Sequence, residues 1–143
     1  MERRARASGS ARIQAPCEAE RAARQAYEAA GLGPEDLDVV ELQDTDAGTE
    51  IMATEHLGLC KPGEGGRLVE EGATTVGGRI PVNPSGGLLS RGEPVGASGL
   101  AQVAEITWQL RGEAGARQVE GAKVGLTHTL GAGGNCAVMI LVK

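Results

Sequence analysis

Aromatic side chains are almost absent from this chain. It has one tryptophan, Trp108, one tyrosine, Tyr27, and no phenylalanine among 143 residues. Hydrophobic residues make up 41% of the sequence, so a core must be packed from alanine, valine, leucine and isoleucine. No apolar run approaches the roughly 20 residues that a helix needs to cross a bilayer. The sequence therefore predicts no membrane span.

The chain also lacks a basic stripe interleaved with aromatics, and its formal net charge is −5. This pattern excludes nucleic acid as an expected partner. Cys17, Cys60 and Cys136 are an odd number without metal-ligand spacing, so we predict no metal site and no disulfide framework. A reducing, cytoplasmic compartment fits this cysteine usage. The Arg-rich amino terminus has no apolar segment of a secretory signal, and residues 1–16 are interpreted as a disordered or linker tail.

Glycine, in contrast, is abundant. The 23 glycines cluster at 63–66, 77–78, 86–99 and 131–134, which predicts several tight turns. Between them, hydrophobic periodicity predicts helices over 18–30, 49–59 and 98–111, and a strand over 38–42. Two further strands are expected in AKVGLTHTL and CAVMILV, and a surface excursion with a hairpin is expected over 61–78. The order predicts an α/β fold with a mixed sheet.

The helix over 98–111 follows the glycine-rich loop directly. Ser98 is expected to be its N-cap. Its inner stripe is predicted to be Leu100, Val103, Ala104, Thr107 and Leu110. The alanine-rich faces of this helix and of the helix over 18–30 favour close packing, so we expect a partner chain or an oligomer.

Three long motifs resemble the C-terminal part of a thiolase of the sterol-carrier or lipid-transfer type. They are AYEAAGLGPEDLDVVELQD, EHLGLCKPGEGGRLVEEG and the segment from VNPSGG to LGAGG, in the family's order. The resemblance implies that residues 17–143 form a thiolase-like half-domain, a mixed five-stranded sheet with helices on both faces. It also implies a thiolase-like N-terminal half or partner chain in a homo- or hetero-oligomer, because the nucleophilic cysteine belongs to that half.

The resemblance also assigns site positions, and this chain departs from the family at each acid–base position. The family loop reads G-H-P, and its His is here Glu93. The family segment HDCF reads QDTD, so the oxyanion-hole His becomes Gln43 and the Cys becomes Thr45. The position of a second catalytic Cys is Leu130, although lipid-transfer-type thiolases lack that Cys too. His128 stands where the family often has HN, and it is either a site residue or a hydrogen-bonded strand histidine.

Claisen cleavage needs a thiolate, a proton shuttle and donors aimed at the developing oxyanion. An ionised Glu93 donates no hydrogen bond, whereas the amide of Gln43 can still donate one. We therefore expect no thiolysis from the isolated chain. Two interpretations of Glu93 stay open: a general base whose pKa is raised by burial, or a position that has lost its chemistry.

The resemblance further implies that Gly92, Ser98, Gly99 and Gly134 form a wall of the acyl-CoA site, although helix capping explains Ser98 and Gly99 equally well. No tightly bound cofactor is expected, and a coenzyme A thioester is the implied substrate or ligand. Three functions stay open, and with them whether the chain is part of an enzyme. They are half of a lipid-transfer-type thiolase, a non-catalytic acyl-CoA-binding subunit, and a retro-aldol lyase subunit for steroid- or acyl-CoA thioesters with a small OB-fold partner.

Overall fold

The computed structural model describes residues 16–143 of the chain. The helices are α1 (Glu18–Ala30), α2 (Ala47–His56), α3 (Gly65–Glu70), α4 (Gly87–Arg91) and α5 (Ser98–Arg111). The strands are β1 (Val39–Leu42), β2 (Val124–Gly131) and β3 (Asn135–Val142). Apart from Pro16, the predicted tail lies outside the described residues. Within the described part, no helix has the length and apolarity needed to cross a lipid bilayer.

The sheet has the order β1-β2-β3, with β1 parallel to β2 and β2 antiparallel to β3. The predicted α/β class and mixed sheet are confirmed. The expected five strands are wrong for residues 16–143, where the sheet has three strands. Val82 adds only a single parallel bridge to Val40. Pro81 and Pro84 cannot donate to a ladder, and Asn83 has a left-handed φ of 50°, so the pairing ends there.

Helices cover both faces of the sheet, as expected. On one face Val40 and Leu126 pack with Ala53 of α2 in the larger apolar cluster. On the other face Val39 packs with Ile106 of α5 in a smaller cluster. Neighbouring residues of β1 thus point to opposite cores, because side chains alternate along a strand. All four residues of β1 are buried, so both faces of this strand are covered.

The predicted inner stripe of α5 is buried only at Leu110: Val103, Ala104 and Thr107 are half-buried, and Leu100 is 72% exposed. The helix instead buries polar side chains, among them Gln102 and Glu105, each about 1% exposed. Gln102 Nε2 donates to the carbonyl of His128 at 3.0 Å, and Arg117 pairs with Glu105 at 2.8 Å. Hydrogen bonds offset the cost of burying these groups, so the apolar periodicity pointed to the wrong face.

Three local predictions also change. Helix α2 begins at Ala47, earlier than expected, because the Asp46 carboxylate accepts the Thr49 N–H at 2.9 Å. The expected hairpin within 61–78 is wrong, and this segment contains helix α3. Ser98 is the first residue of α5 rather than its N-cap, and its hydroxyl donates to the Pro94 carbonyl at 3.0 Å.

Candidate functional site

The parallel strands β1 and β2 end side by side at one edge of the sheet. Gln43 follows β1, and Leu42 is paired with His128 in the register of the two strands. The carboxyl ends of parallel strands are where open α/β sheets bind ligands. Several residues that the sequence singled out lie near these strand ends.

Glu93, Gln43 and Thr45 come together here, and we call them the Glu93 cluster. Gln43 Nε2 donates to Glu93 Oε1 at 2.7 Å, and Thr45 Oγ1 donates to the same oxygen at 3.3 Å. Gln43 Oε1 accepts the Leu130 N–H at 2.7 Å, which fixes the orientation of the amide. The four positions that the family resemblance assigned to acid–base or nucleophilic groups thus meet in one place.

The chemistry of the cluster is that of a carboxylate held by donors. Glu93 receives both hydrogen bonds on one oxygen and is exposed, so this chain alone does not supply the burial that the general-base hypothesis requires. Gln43 uses one of its two amide hydrogens on Glu93, which leaves one for another acceptor. As it stands, the cluster offers one amide donor and one acceptor carboxylate.

Two buried carboxylates support the loop that carries Glu93, and neither was predicted from the sequence. Glu41, in the middle of β1, is fully buried; it accepts from Ser85 Oγ at 2.7 Å and pairs with Arg91 at 3.4 Å. Burial raises its pKa to about 7, although the bonds from Ser85 and the charge of Arg91 oppose the shift. Asp44 accepts the Leu88 N–H at 2.6 Å and so binds the start of α4.

A signal for these carboxylates was present in the sequence. Glu41 lies between apolar residues of a strand expected to be covered, and a buried charge needs partners. Its partners, Ser85 and Arg91, are 44 and 50 residues further along the chain, so only the fold brings them together. Gly87 has φ +61°, and a Cβ there would collide with the Asp44 carboxylate, so this close approach requires glycine.

His128 faces a different environment. It is 1% exposed, and in the described part of the chain neither of its ring nitrogens has a hydrogen-bond partner. Burial, helped by the nearby His56, lowers its pKa to about 4. It lines a cavity of about 300 Å³ together with Cys17, His56 and Leu130, which we call the histidine cavity. The structure therefore shows no hydrogen bond from the His128 side chain to another described residue, in contrast to the interpretation of a hydrogen-bonded strand histidine.

The four residues expected to form an acyl-CoA wall lie in two different places. Gly92 ends α4, and Ser98 and Gly99 begin α5, so these three flank the loop of Glu93. Gly134 lines the histidine cavity instead. A Cβ on Gly99 would lie 3.2 Å from Thr129 Oγ1, which shows how closely α5 approaches β2.

The family model described as thiolase C-terminal domain-like matches residues 5–143. The chain belongs to this family. The resemblance seen in the motifs is thus confirmed.

Known relatives agree with this assignment. The chain is 58% identical over 119 residues to sterol carrier protein 2 of Rattus norvegicus, covering 83% of this chain and 22% of the relative. It is 55% identical over 123 residues to an acetyl-CoA acetyltransferase of Methanothermobacter thermautotrophicus, covering 85% and 32%. A solved structure titled Ltp2-ChsH2(DUF35) aldolase superposes with a TM-score of 0.76 at 25% identity, covering 87% of this chain and 32% of that one. The chain thus spans between about a fifth and a third of the length of these proteins.

Proposed function

We propose that this thiolase C-terminal domain forms one wall of an acyl-CoA site in a larger assembly, and that it does not catalyse thiolysis with its own residues. The observation that carries the proposal is the Glu93 cluster. Its residues occupy the positions of the family's acid–base groups, yet Glu93 accepts both hydrogen bonds and is bound by Gln43 at 2.7 Å. The carboxylate charge also disfavours a neighbouring thiolate, because like charges repel.

The remaining half of the site would come from a thiolase-like amino-terminal half or partner chain. Two observations support this. The chain spans 22% of the length of rat sterol carrier protein 2. Strand β3 is at the edge of the sheet and leaves Met139 46% and Val142 63% exposed, an apolar surface that more polypeptide would cover. A coenzyme A thioester is the proposed ligand.

A reducing, cytoplasmic compartment is proposed as well, and the free thiols of all three cysteines support it.

The test is a thiolysis assay with acetoacetyl-CoA and CoA. It uses the isolated chain, and the chain copurified with the product of an adjacent reading frame if that frame encodes a thiolase-like half. We expect no turnover from the isolated chain. Thiolysis by the isolated chain that Glu93→Gln abolishes would overturn the proposal, because the carboxylate would then be doing the chemistry.

A second candidate function is a retro-aldol lyase subunit, and the structural similarity to the aldolase complex favours it. Here Glu93 would act as the base that removes a proton from the substrate hydroxyl, which needs an acceptor and no thiolate. The small OB-fold partner expected from the sequence would belong to this assembly.

The lyase candidate is tested in the copurified complex with a β-hydroxyacyl-CoA substrate. Glu93→Gln should abolish cleavage, and Glu93→Asp should retain part of it, because only the second variant keeps a base. Cleavage that is unchanged in Glu93→Gln would rule Glu93 out as that base. The thiolysis assay separates the two candidates, since a lyase leaves acetoacetyl-CoA intact.

A further inference from the structure

We propose that Cys17, Glu20 and His56 bind one divalent transition-metal ion of the zinc class where the start of α1 meets the end of α2. The donor atoms of these three half-buried residues lie within 4.8 Å of one another. Ligands bound to zinc at about 2.0–2.3 Å are roughly 3.5 Å apart, so small side-chain rotations would complete the geometry. This site does not depend on the function proposed above.

The donor set fits this class of metal. Thiolate sulfur and imidazole nitrogen favour zinc and its neighbours, whereas magnesium and calcium prefer oxygen donors. The carboxylate of Glu20 supplies a third donor. Sequence spacing does not reveal this set, because Cys17 and His56 are 39 positions apart and only the packing of α1 against α2 brings them together.

The scaffold around the three residues is fixed without a metal. Glu20 Oε2 accepts the Cys17 N–H at 2.9 Å, which orients the carboxylate beside the thiol and leaves its other oxygen to bind. Cys17 precedes α1, and His56 is the last residue of α2. Tyr27 of α1 donates to the carbonyl of Leu57 at 2.9 Å, next to His56, and so joins the two helix ends.

His128 gives an independent indication of a ligand in this place. Cys17 and His56 line the histidine cavity, and so does His128, whose two ring nitrogens are buried without a partner. An unpaired buried polar group is costly, so such an arrangement points to a bound species. Three protein ligands leave the fourth tetrahedral position of zinc for water, and a water in this cavity would give His128 a partner.

The test is metal titration of the untagged 143-residue chain after treatment with a chelator. Co²⁺ is the probe, because a Cys ligand gives a thiolate-to-metal charge-transfer band, and Zn²⁺ is then used to displace it. We expect one ion per chain. Cys17→Ser should abolish the charge-transfer band, and Cys17→Ser and His56→Gln should each weaken binding by at least about tenfold.

Cys60→Ser is the matched control. The Cys60 sulfur contacts Thr54 Oγ1 at 3.8 Å and is not one of the three proposed ligands, so this variant should bind the metal as the original chain does. Circular dichroism checks that each variant is folded, and Zn²⁺ should raise the melting temperature of the original chain but not of Cys17→Ser. No binding by the original chain, or binding that both cluster variants retain, would overturn the proposal.

Discussion

The Glu93 cluster and the histidine cavity lie near the ends of neighbouring strands, yet the polar side chains of the cluster are hydrogen-bonded to protein partners and the imidazole of His128 in the cavity is not. In the cluster, both polar atoms of the Gln43 side chain have protein partners, and Glu41 and Asp44 bind the loop behind it. In the cavity, His128 is just as buried as Glu41 but has no partner in the described residues.

The difference separates architecture from binding capacity. Side chains that are hydrogen-bonded to one another hold a loop in place without a ligand. An unsatisfied imidazole beside a cavity is costly unless something binds there. In our proposals the Glu93 cluster therefore forms a wall of a site without catalysing thiolysis, and the cavity beside His128 is where a ligand would bind.

The largest effect on stability is expected in helix α5. This helix follows the Glu93 loop, and its Gln102 donates to the His128 carbonyl. Ile106 is fully buried against β1 and β2, so Ile106→Ala should lower the free energy of unfolding by about 3 kcal/mol. Leu100→Ala on the same helix should change it by no more than about 0.5 kcal/mol, because Leu100 is exposed. Urea unfolding of both variants measures this. Equal losses, or a larger loss for Leu100→Ala, would contradict the packing of α5 described above.

Glu41, behind the Glu93 cluster, and His128, in the histidine cavity, should affect the pH dependence of stability in opposite directions. Glu41 keeps its proton in the folded state up to about pH 7, whereas the unfolded carboxyl, with its ordinary pKa of 4.5, releases it first. The free energy of unfolding therefore falls by about 3 kcal/mol as pH rises through this window. His128 titrates at about 4 when folded and 6.5 when unfolded, so its contribution rises by about 3 kcal/mol between those values.

Single variants separate these opposing contributions. Glu41→Gln should leave a stability that rises with pH between about 4 and 6.5, and His128→Gln one that falls between 4.5 and about 7. Urea unfolding across this range, with a chelator present, measures both slopes. The same slope in both variants would show that the two groups are not buried in the way described.

A smaller effect tests how the Glu93 loop is supported. Asp44→Ala removes the acceptor of the Leu88 N–H and should cost about 2 kcal/mol, because that donor is left buried. Asp46→Ala removes a helix cap whose hydrogen bond is exposed to water, so it should cost less than Asp44→Ala. Thermal unfolding compares the two. A larger loss for Asp46→Ala would contradict the role of Asp44 as the internal anchor of the loop.

The sequence predicted much of the fold because its signals are local. Helix α1 has the predicted bounds, and Gly31 ends it with a left-handed φ of 67°. The family resemblance also brought Glu93, Gln43 and Thr45 to one site. The buried face of α5 could not be predicted, since Gln102 and Glu105 are stabilised by partners that only the tertiary structure supplies. For the same reason the pairing of Glu41 with Arg91 and the cluster of Cys17 with His56 were missed.

We infer that the residues of the Glu93 cluster would prevent thiolysis even beside a thiolase amino-terminal half. The most direct measurement restores the family's residues with Glu93→His, Gln43→His and Thr45→Cys together. Acetoacetyl-CoA thiolysis is then compared between this variant and the original chain, each in complex with a thiolase amino-terminal half that carries the nucleophilic cysteine. We predict turnover from the complex with the restored variant and none from the complex with the original chain. Equal thiolysis by both complexes would show that the residues of the Glu93 cluster do not prevent the reaction.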